Sequence, residues 1–263
     1  MKIIVLANQK GGVAKTSTCH ALGTGLANEG YKVLLADLDA QCNLSDACGI
    51  DTETAIDTLY GAFKGECTVK KAIQPVSLNM DLLLGDLLFS RADSEFTQIG
   101  RERMFKKLIA PLQGEYDFCI VDTPPVLGIM LANALTAADH VIIPMTAGRF
   151  SVKGMKQLAQ FIAEIREDRN PNLNILGALL TMYTDRYNVS KIMREEVQHA
   201  CEMVGTELFT TTIRRGVVMD ESQVMQTDIF SQRSDLADDY RKFIKEFKNI
   251  SNWGKQEDIL KTL

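Results

Sequence analysis

Three short stretches hold residues that could do phosphate chemistry. The first is NQKGGVAKTST, residues 8–18, in which Gly11 and Gly12 precede Lys15, Thr16 and Ser17. Adjacent glycines let successive backbone N–H groups converge on an anion, a lysine adds a cation for the outer phosphates, and a hydroxyl can complete a Mg²⁺ shell. Measured against the usual spacing, G-x-x-x-x-G-K-[ST], Gln9 and Ala14 stand where glycines are expected. Ala14 is then required to keep φ negative or to turn its methyl away from the ligand. Lys10 is a surplus cation, unfavourable across so small a loop unless anionic phosphate lies between it and Lys15.

The second stretch, DLDAQCNLS over residues 37–45, places Asp37 and Asp39 two apart, on one face of a strand end. The third, FCIVDTPPVLG over residues 118–128, ends an apolar run in Asp122, where a carboxylate could hold Mg²⁺ through water beside the Thr16 hydroxyl. Pro124 and Pro125 stiffen the chain that follows.

These residues need strands that end together. KIIVLAN (2–8), KVLLADLD (32–39), MDLLLG (80–85), DFCIVDT (117–123), HVIIPM (140–145), LNILGALLTM (173–182) and ELFTTTI (207–213) are short runs, mostly unbroken by polar residues, as expected of strands covered on both faces in a parallel sheet. Helical spacing links them: Cys19, Leu22 and Leu26; Met104, Leu108, Ile109 and Leu112; Met155, Leu158, Ile162 and Ile165; and, near the end, Leu236, Tyr240, Phe243 and Phe247. The pattern predicts an α/β, doubly wound, mostly parallel sheet flanked by helices, with ligands at the carboxyl ends of the strands. The expectation is one domain over residues 1–263, with 249–263 a short tail that includes a breaker at 252–254.

A chain of 263 residues, 46% apolar, can bury a full core. Its net charge of -5 requires any nucleic-acid contact to use a local basic patch. The six cysteines include no C-x-x-C pair and read as reduced, mainly buried thiols. The first residues are too short an apolar run for a secretory signal or a membrane span, so a cytoplasmic location is expected.

The segment KGGVAKT resembles the deviant Walker A motif, K-G-G-x-x-K-[ST], of the ParA/Soj/MinD family of P-loop ATPases, and the similarity runs from residue 2 to about residue 248. The resemblance implies ATP and Mg²⁺ as cofactors and slow, partner-stimulated hydrolysis of ATP to ADP and phosphate. Gly11, Gly12, Val13, Ala14, Lys15, Thr16 and Ser17 would cradle the nucleotide. Lys10 would reach phosphates held by a second subunit, so that ATP closes a sandwich homodimer. Asp39 would position or activate the attacking water, and Asp37 and Asp122 would join Thr16 around Mg²⁺. Residues 122–128 would sense the outer phosphate. TMYTDRYNVS (181–190) and IRRGVVMDES (213–222) match the family's base-side segments, making Met182 and Arg215 candidates to flank adenine. Arg214 and Gly216 depart from that pattern, and a solvated loop is the alternative reading.

Within the family, the short ParA/Soj type is the nearest likeness. It implies non-specific double-stranded DNA as a partner, a ParB-type adaptor, a nucleoid-associated location and a role in plasmid or chromosome partitioning. Arg186, Arg215, Lys242 and Lys245 are the DNA-binding candidates, with Lys191, Arg194 and Arg241 as further local charge. Val218 departs from an arginine common in that branch, and a solvated helix face is the alternative for the terminal basic residues. A MinD-like or other positioning ATPase acting on membrane or protein cargo is the second reading. It wants a basic amphipathic anchor, whereas Ile259, Leu260 and Leu263 are few and lie beside Glu257 and Asp258, so no membrane anchor is expected. An iron–sulfur carrier and a biosynthetic ligase complete the alternatives. Because no residues are seen ahead of the first strand, an N-terminal helix-turn-helix is not expected.

Overall fold

The computed structural model describes residues 1–52, 54–184, 188–216, 228–231 and 233–250, with only the backbone of 149–151 and 188–190. Seven strands, β1 (Lys2–Leu6), β2 (Val33–Asp37), β3 (Ile73–Ser77), β4 (Met80–Leu83), β5 (Phe118–Asp122), β6 (His140–Thr146) and β7 (Asn174–Thr181), form one sheet in the order β3-β4-β2-β5-β1-β6-β7. All neighbouring pairs are parallel except β3 with β4. The helices are α1 (Lys15–Asn28), α2 (Asn43–Ala47), α3 (Leu59–Lys64), α4 (Ala92–Glu95), α5 (Met104–Ile109), α6 (Ile129–Ala137), α7 (Arg149–Asp168), α8 (Asn188–Met203) and α9 (Asp235–Ile250).

The unbroken apolar runs become strands because both faces of the sheet are covered. In β1, Ile3 and Val5 join one core layer while Ile4 and Leu6 join the other. The second layer is closed by α1 and α9: Leu236, Tyr240, Phe243 and Phe247 are all buried, and each large apolar side chain so covered contributes roughly 1.5–3 kcal/mol. Gly25 lets the two helices touch, since a Cβ there would fall 2.1 Å from Ile244 Cδ1.

Two expectations are corrected at the edges of the sheet. Residues 207–213 do not form a strand; the segment meets β7 through an isolated bridge between Ala178 and Leu208 and a later bond from the Ile213 N–H to the Leu180 carbonyl. The reason lies in α9, where the Glu246 carboxylate takes the N–H groups of Thr210 (2.6 Å) and Thr211 (2.8 Å), leaving them unavailable to a ladder. At the opposite edge, β3 is an additional strand. Its sequence, IQPVS, is part-exposed and carries Pro75 at an irregularity in the register, so it has neither the long apolar run nor the clean alternation of a strand signal. Of the tail expected over 249–263, residues 249 and 250 end α9 and residues 251–263 lie outside the described residues.

Candidate functional site

The loops after β1, β2 and β5 emerge side by side, because these strands are neighbours in the order β2-β5-β1. Pairing of β1 with β6 stops at Leu6 opposite Ile142, and the Ala7 N–H then donates to the Ile142 carbonyl. Just past that point Pro144, which has no N–H of its own, offers its carbonyl to the Asn8 side chain at 2.7 Å. Asn8 Oδ1 in turn accepts from the Lys10 N–H, so the start of the loop is fixed by a buried amide.

Gly12 turns the chain with φ 68° and Ala14 turns it again with φ 58°, ψ 33°. Of the two alternatives open to Ala14, a negative φ is not the one the chain takes, and an L-residue in this left-handed conformation costs about 1–2 kcal/mol. The turn starts α1 without a side-chain cap, so the first N–H groups of the helix, on Lys15, Thr16 and Ser17, are left for a ligand. A Cβ on Gly11 or Gly12 would meet nothing within 4 Å, which marks the open side of the loop. Val13 points the other way: its side chain is in the core and its carbonyl accepts from Thr181 Oγ1 at 3.1 Å, tying the loop to the end of β7.

The resulting cleft has a volume of about 610 Å³ and is lined by Gly11, Gly12, Ala14, Lys15, Thr16, Ser17, Asp39, Gln41, Asn43, Asp46, Ala47, Pro125 and Met182. Lys15 is 7% exposed; burial lowers its pKa, partly offset by Asp122 and Asp39. Thr16 Oγ1 donates to Asp122 Oδ2 at 2.5 Å. Burial, with the nearby Asp37 charge, pushes the Asp122 carboxyl up to about 8. A buried carboxylate short of positive charge, beside a hydroxyl, is the donor set that suits Mg²⁺, a cation that keeps much of its water. Asp39 lines the cleft and its Oδ1 accepts from the Gln41 N–H at 3.1 Å. Asp37 is fully buried and absent from the cleft wall; its oxygens take the Ser45 N–H (2.9 Å), the Ser45 hydroxyl (2.8 Å) and the Asp39 N–H (3.2 Å). Even with those donors, burial raises its carboxyl to about 6.

Lys10 is not brought into this cleft. It is exposed, and its Nζ donates to Thr146 Oγ1 at the end of β6, 3.1 Å away. Met182, at φ 52°, separates the cleft from a second one of about 540 Å³ lined by Met182, Tyr183, Thr184, Thr212, Arg214, Arg215 and Asp239. Here Arg214, the departure from the expected proline, holds Asp239 through Nε (2.7 Å) and Nη2 (3.0 Å) and Asp235 through Nη1 (2.5 Å), fastening the loop to α9. Of the basic candidates, Arg215 is exposed on the second cleft, while Lys242 and Lys245 are exposed on α9 roughly one to two turns beyond Asp239. Arg241 is held by Asp238 and the Phe230 carbonyl, and Arg194 donates to the Thr210 carbonyl. Arg186 and Val218 lie outside the described residues.

Sequence reasoning missed Asn8, Ser45, Thr146 and Thr181, which hold the site together from behind. Asn8, Ser45 and Thr181 sat inside stretches already singled out, but nothing in their spacing announced a partner, and Thr146 lies just past the HVIIPM run.

A loop of this kind between β1, an inner strand of the parallel sheet, and the first helix defines the P-loop nucleotide-hydrolase class. Residues 1–175 match a family model described as an AAA domain. The chain is 35% identical over 226 residues to the chromosome partitioning protein ParA of Caulobacter vibrioides, covering 84% of each chain. It is 33% identical over 249 residues to the sporulation initiation inhibitor protein Soj of Bacillus subtilis, covering 93% of this chain and 97% of Soj. Among solved structures, a plasmid partition protein of Borrelia burgdorferi bound to AMPPNP superimposes with a TM-score of 0.82 at 25% identity, covering 94% of this chain and 98% of that one. Cobyrinic acid a,c-diamide synthase of Mycobacterium smegmatis, with bound ADP and magnesium, gives 0.82 at 30% identity and 93% of both chains. The chain belongs to the ParA/Soj family of ATPases.

Proposed function

We propose that this chain is a partitioning ATPase whose ATP-bound form pairs with a second copy, binds double-stranded DNA without regard to sequence, and is returned to the single state by adaptor-stimulated hydrolysis. The observation that carries the reading is the division of labour between two lysines: Lys15 is buried in the cleft, whereas Lys10 is exposed outside it, held by one neutral hydroxyl. Releasing that hydroxyl costs little, which leaves Lys10 available to phosphate bound by a neighbour.

In this proposal the N–H groups of Gly11 through Ser17 and the Lys15 ammonium bind and orient the phosphates of ATP. Thr16 and Asp122 hold Mg²⁺, which when bound neutralises phosphate charge. Asp39 orients the attacking water, and Met182 and Arg215 flank the base. A site built from positioning and electrostatics alone turns over slowly until a partner completes it, which suits a timer. A ParB-type adaptor is that partner, and Arg215, Lys242 and Lys245 are the described groups offered to phosphate backbone. Among the described residues no helix is long and apolar enough to cross a membrane. Of the other readings, a biosynthetic ligase on the same loop is the one favoured by the likeness to the Mycobacterium smegmatis synthase.

Titrating a random-sequence duplex with ATP or ADP at two salt concentrations tests the proposal. Binding should require ATP and weaken steeply with salt, since released counterions drive it. Absent or nucleotide-independent binding refutes it.

A further inference from the structure

Ser45 lies in the short helix α2, is fully buried and does not line the cleft. Its hydroxyl nevertheless joins three elements. It donates to Asp37 Oδ2 at the end of β2, its own N–H donates to the same oxygen, and it accepts from the Gly85 N–H just beyond β4 at 3.1 Å. The other Asp37 oxygen takes the N–H of Asp39. A continuous line of hydrogen bonds therefore runs from Gly85 through Ser45 and Asp37 to the backbone of the residue that faces the cleft. Gly85 is part of the fit, because a Cβ there would stand 2.9 Å from Asp37 Cγ. The helix that carries Ser45 also carries Asn43, Asp46 and Ala47, three residues of the cleft wall, so the same anchor sets the wall and the turn together.

We propose that Ser45 is a positioning residue for hydrolysis: by gripping Asp37 it fixes the turn from which Asp39 orients the attacking water. This rests on the reading of the cleft as an ATP-hydrolysing site with Asp39 in that role. It gives Asp37 a different task from the one the family resemblance implies, that of a brace within the chain. Three donors already occupy its oxygens, and it is shut off from the cleft. Nothing in the line touches the phosphate loop itself, so the grip should govern turnover far more strongly than nucleotide affinity.

The test compares full-length wild type, Ser45→Ala, Ser45→Thr, Gly85→Ala, Asp37→Asn and the Ser45→Ala/Asp37→Asn double variant. Each is measured for affinity toward a fluorescent ATP analogue with Mg²⁺, for steady-state kcat and for Tm. Misplacing a reacting group by a fraction of an ångström to one ångström costs about 10- to 100-fold in rate, so Ser45→Ala should lose that much kcat while its affinity stays within about two-fold. Ser45→Thr, which keeps the hydroxyl, should recover most of the rate. The double variant should be no slower than the slower single one, because both changes cut the same line. Gly85→Ala should show the same selective loss and carries the test if Ser45→Ala fails to fold. Wild-type kcat in Ser45→Ala or Gly85→Ala, equal losses of kcat and affinity, or additive effects in the double variant would overturn the inference. A wild type that binds ATP but turns none over, with or without DNA and adaptor, instead refutes the hydrolase reading beneath it.

Discussion

Replacing Ala14 by glycine should make the nucleotide-free protein more stable. Ala14 begins α1 at φ 58°, a conformation that glycine adopts freely and alanine does not. The left-handed conformation costs an L-residue about 1–2 kcal/mol, and a glycine adds about 0.4–1 kcal/mol of disorder to the unfolded chain, so the net gain is about 0.8 kcal/mol at the centre of these ranges. In a chain of this size that corresponds to a rise in Tm of about 2–3 °C. Thermal unfolding followed by far-ultraviolet circular dichroism, without nucleotide and at several scan rates, measures it. Ala14→Val is the opposing control, because a β-branched side chain tolerates this conformation worst and should lower Tm by more than glycine raises it. A glycine variant melting at or below the wild-type temperature would refute the reasoning, since the turn would then carry no strain to relieve.

Asp122 predicts a pH dependence. Burial first, and the Asp37 charge second, raise its carboxyl to about 8, so the folded chain holds this proton where the unfolded chain has released it, and its contribution to stability falls as pH rises from about 4 to about 8. Asp122→Asn should flatten that fall and raise Tm at the alkaline end while losing Mg²⁺-dependent hydrolysis; Tm measured across the window in both proteins decides, and parallel slopes count against it. Lys10→Ala should still bind ATP but remain single where the wild type pairs, read by light scattering with ATP; normal pairing of the variant defeats the sandwich arrangement.

The central strands and the cleft were legible in the sequence because they obey strong local rules. KIIVLAN and FCIVDT are too apolar to be anything but buried, and Gly11, Gly12, Lys15 and Thr16 follow the first of them in register. What escaped depended on contacts distant along the chain. Thr210 and Thr211 read as strand until Glu246 of α9 claims their N–H groups. For Ala14 the spacing left a negative φ and a turned-away methyl both open; its positive φ is set by the loop's tie to Thr181 and by the start of α1. The i, i+2 spacing put Asp37 and Asp39 on one face of a strand end; Ser45, eight residues beyond Asp37, binds a carboxylate that is buried away from the cleft wall on which Asp39 stands.

The two flanks of the sheet bear on how copies of this chain can stack. On one side β3 runs against its neighbour with Pro75 and an irregular register, and on the other the 207–213 segment occupies the Ala178 and Leu180 backbone while its own Thr210 and Thr211 donors are held by α9. Among the described residues neither flank offers a clean row of free backbone groups to another strand. Edge-to-edge pairing of sheets is thus disfavoured at both described flanks, so contacts between folded copies are expected to be made by side-chain surfaces and to respond to ligand or salt.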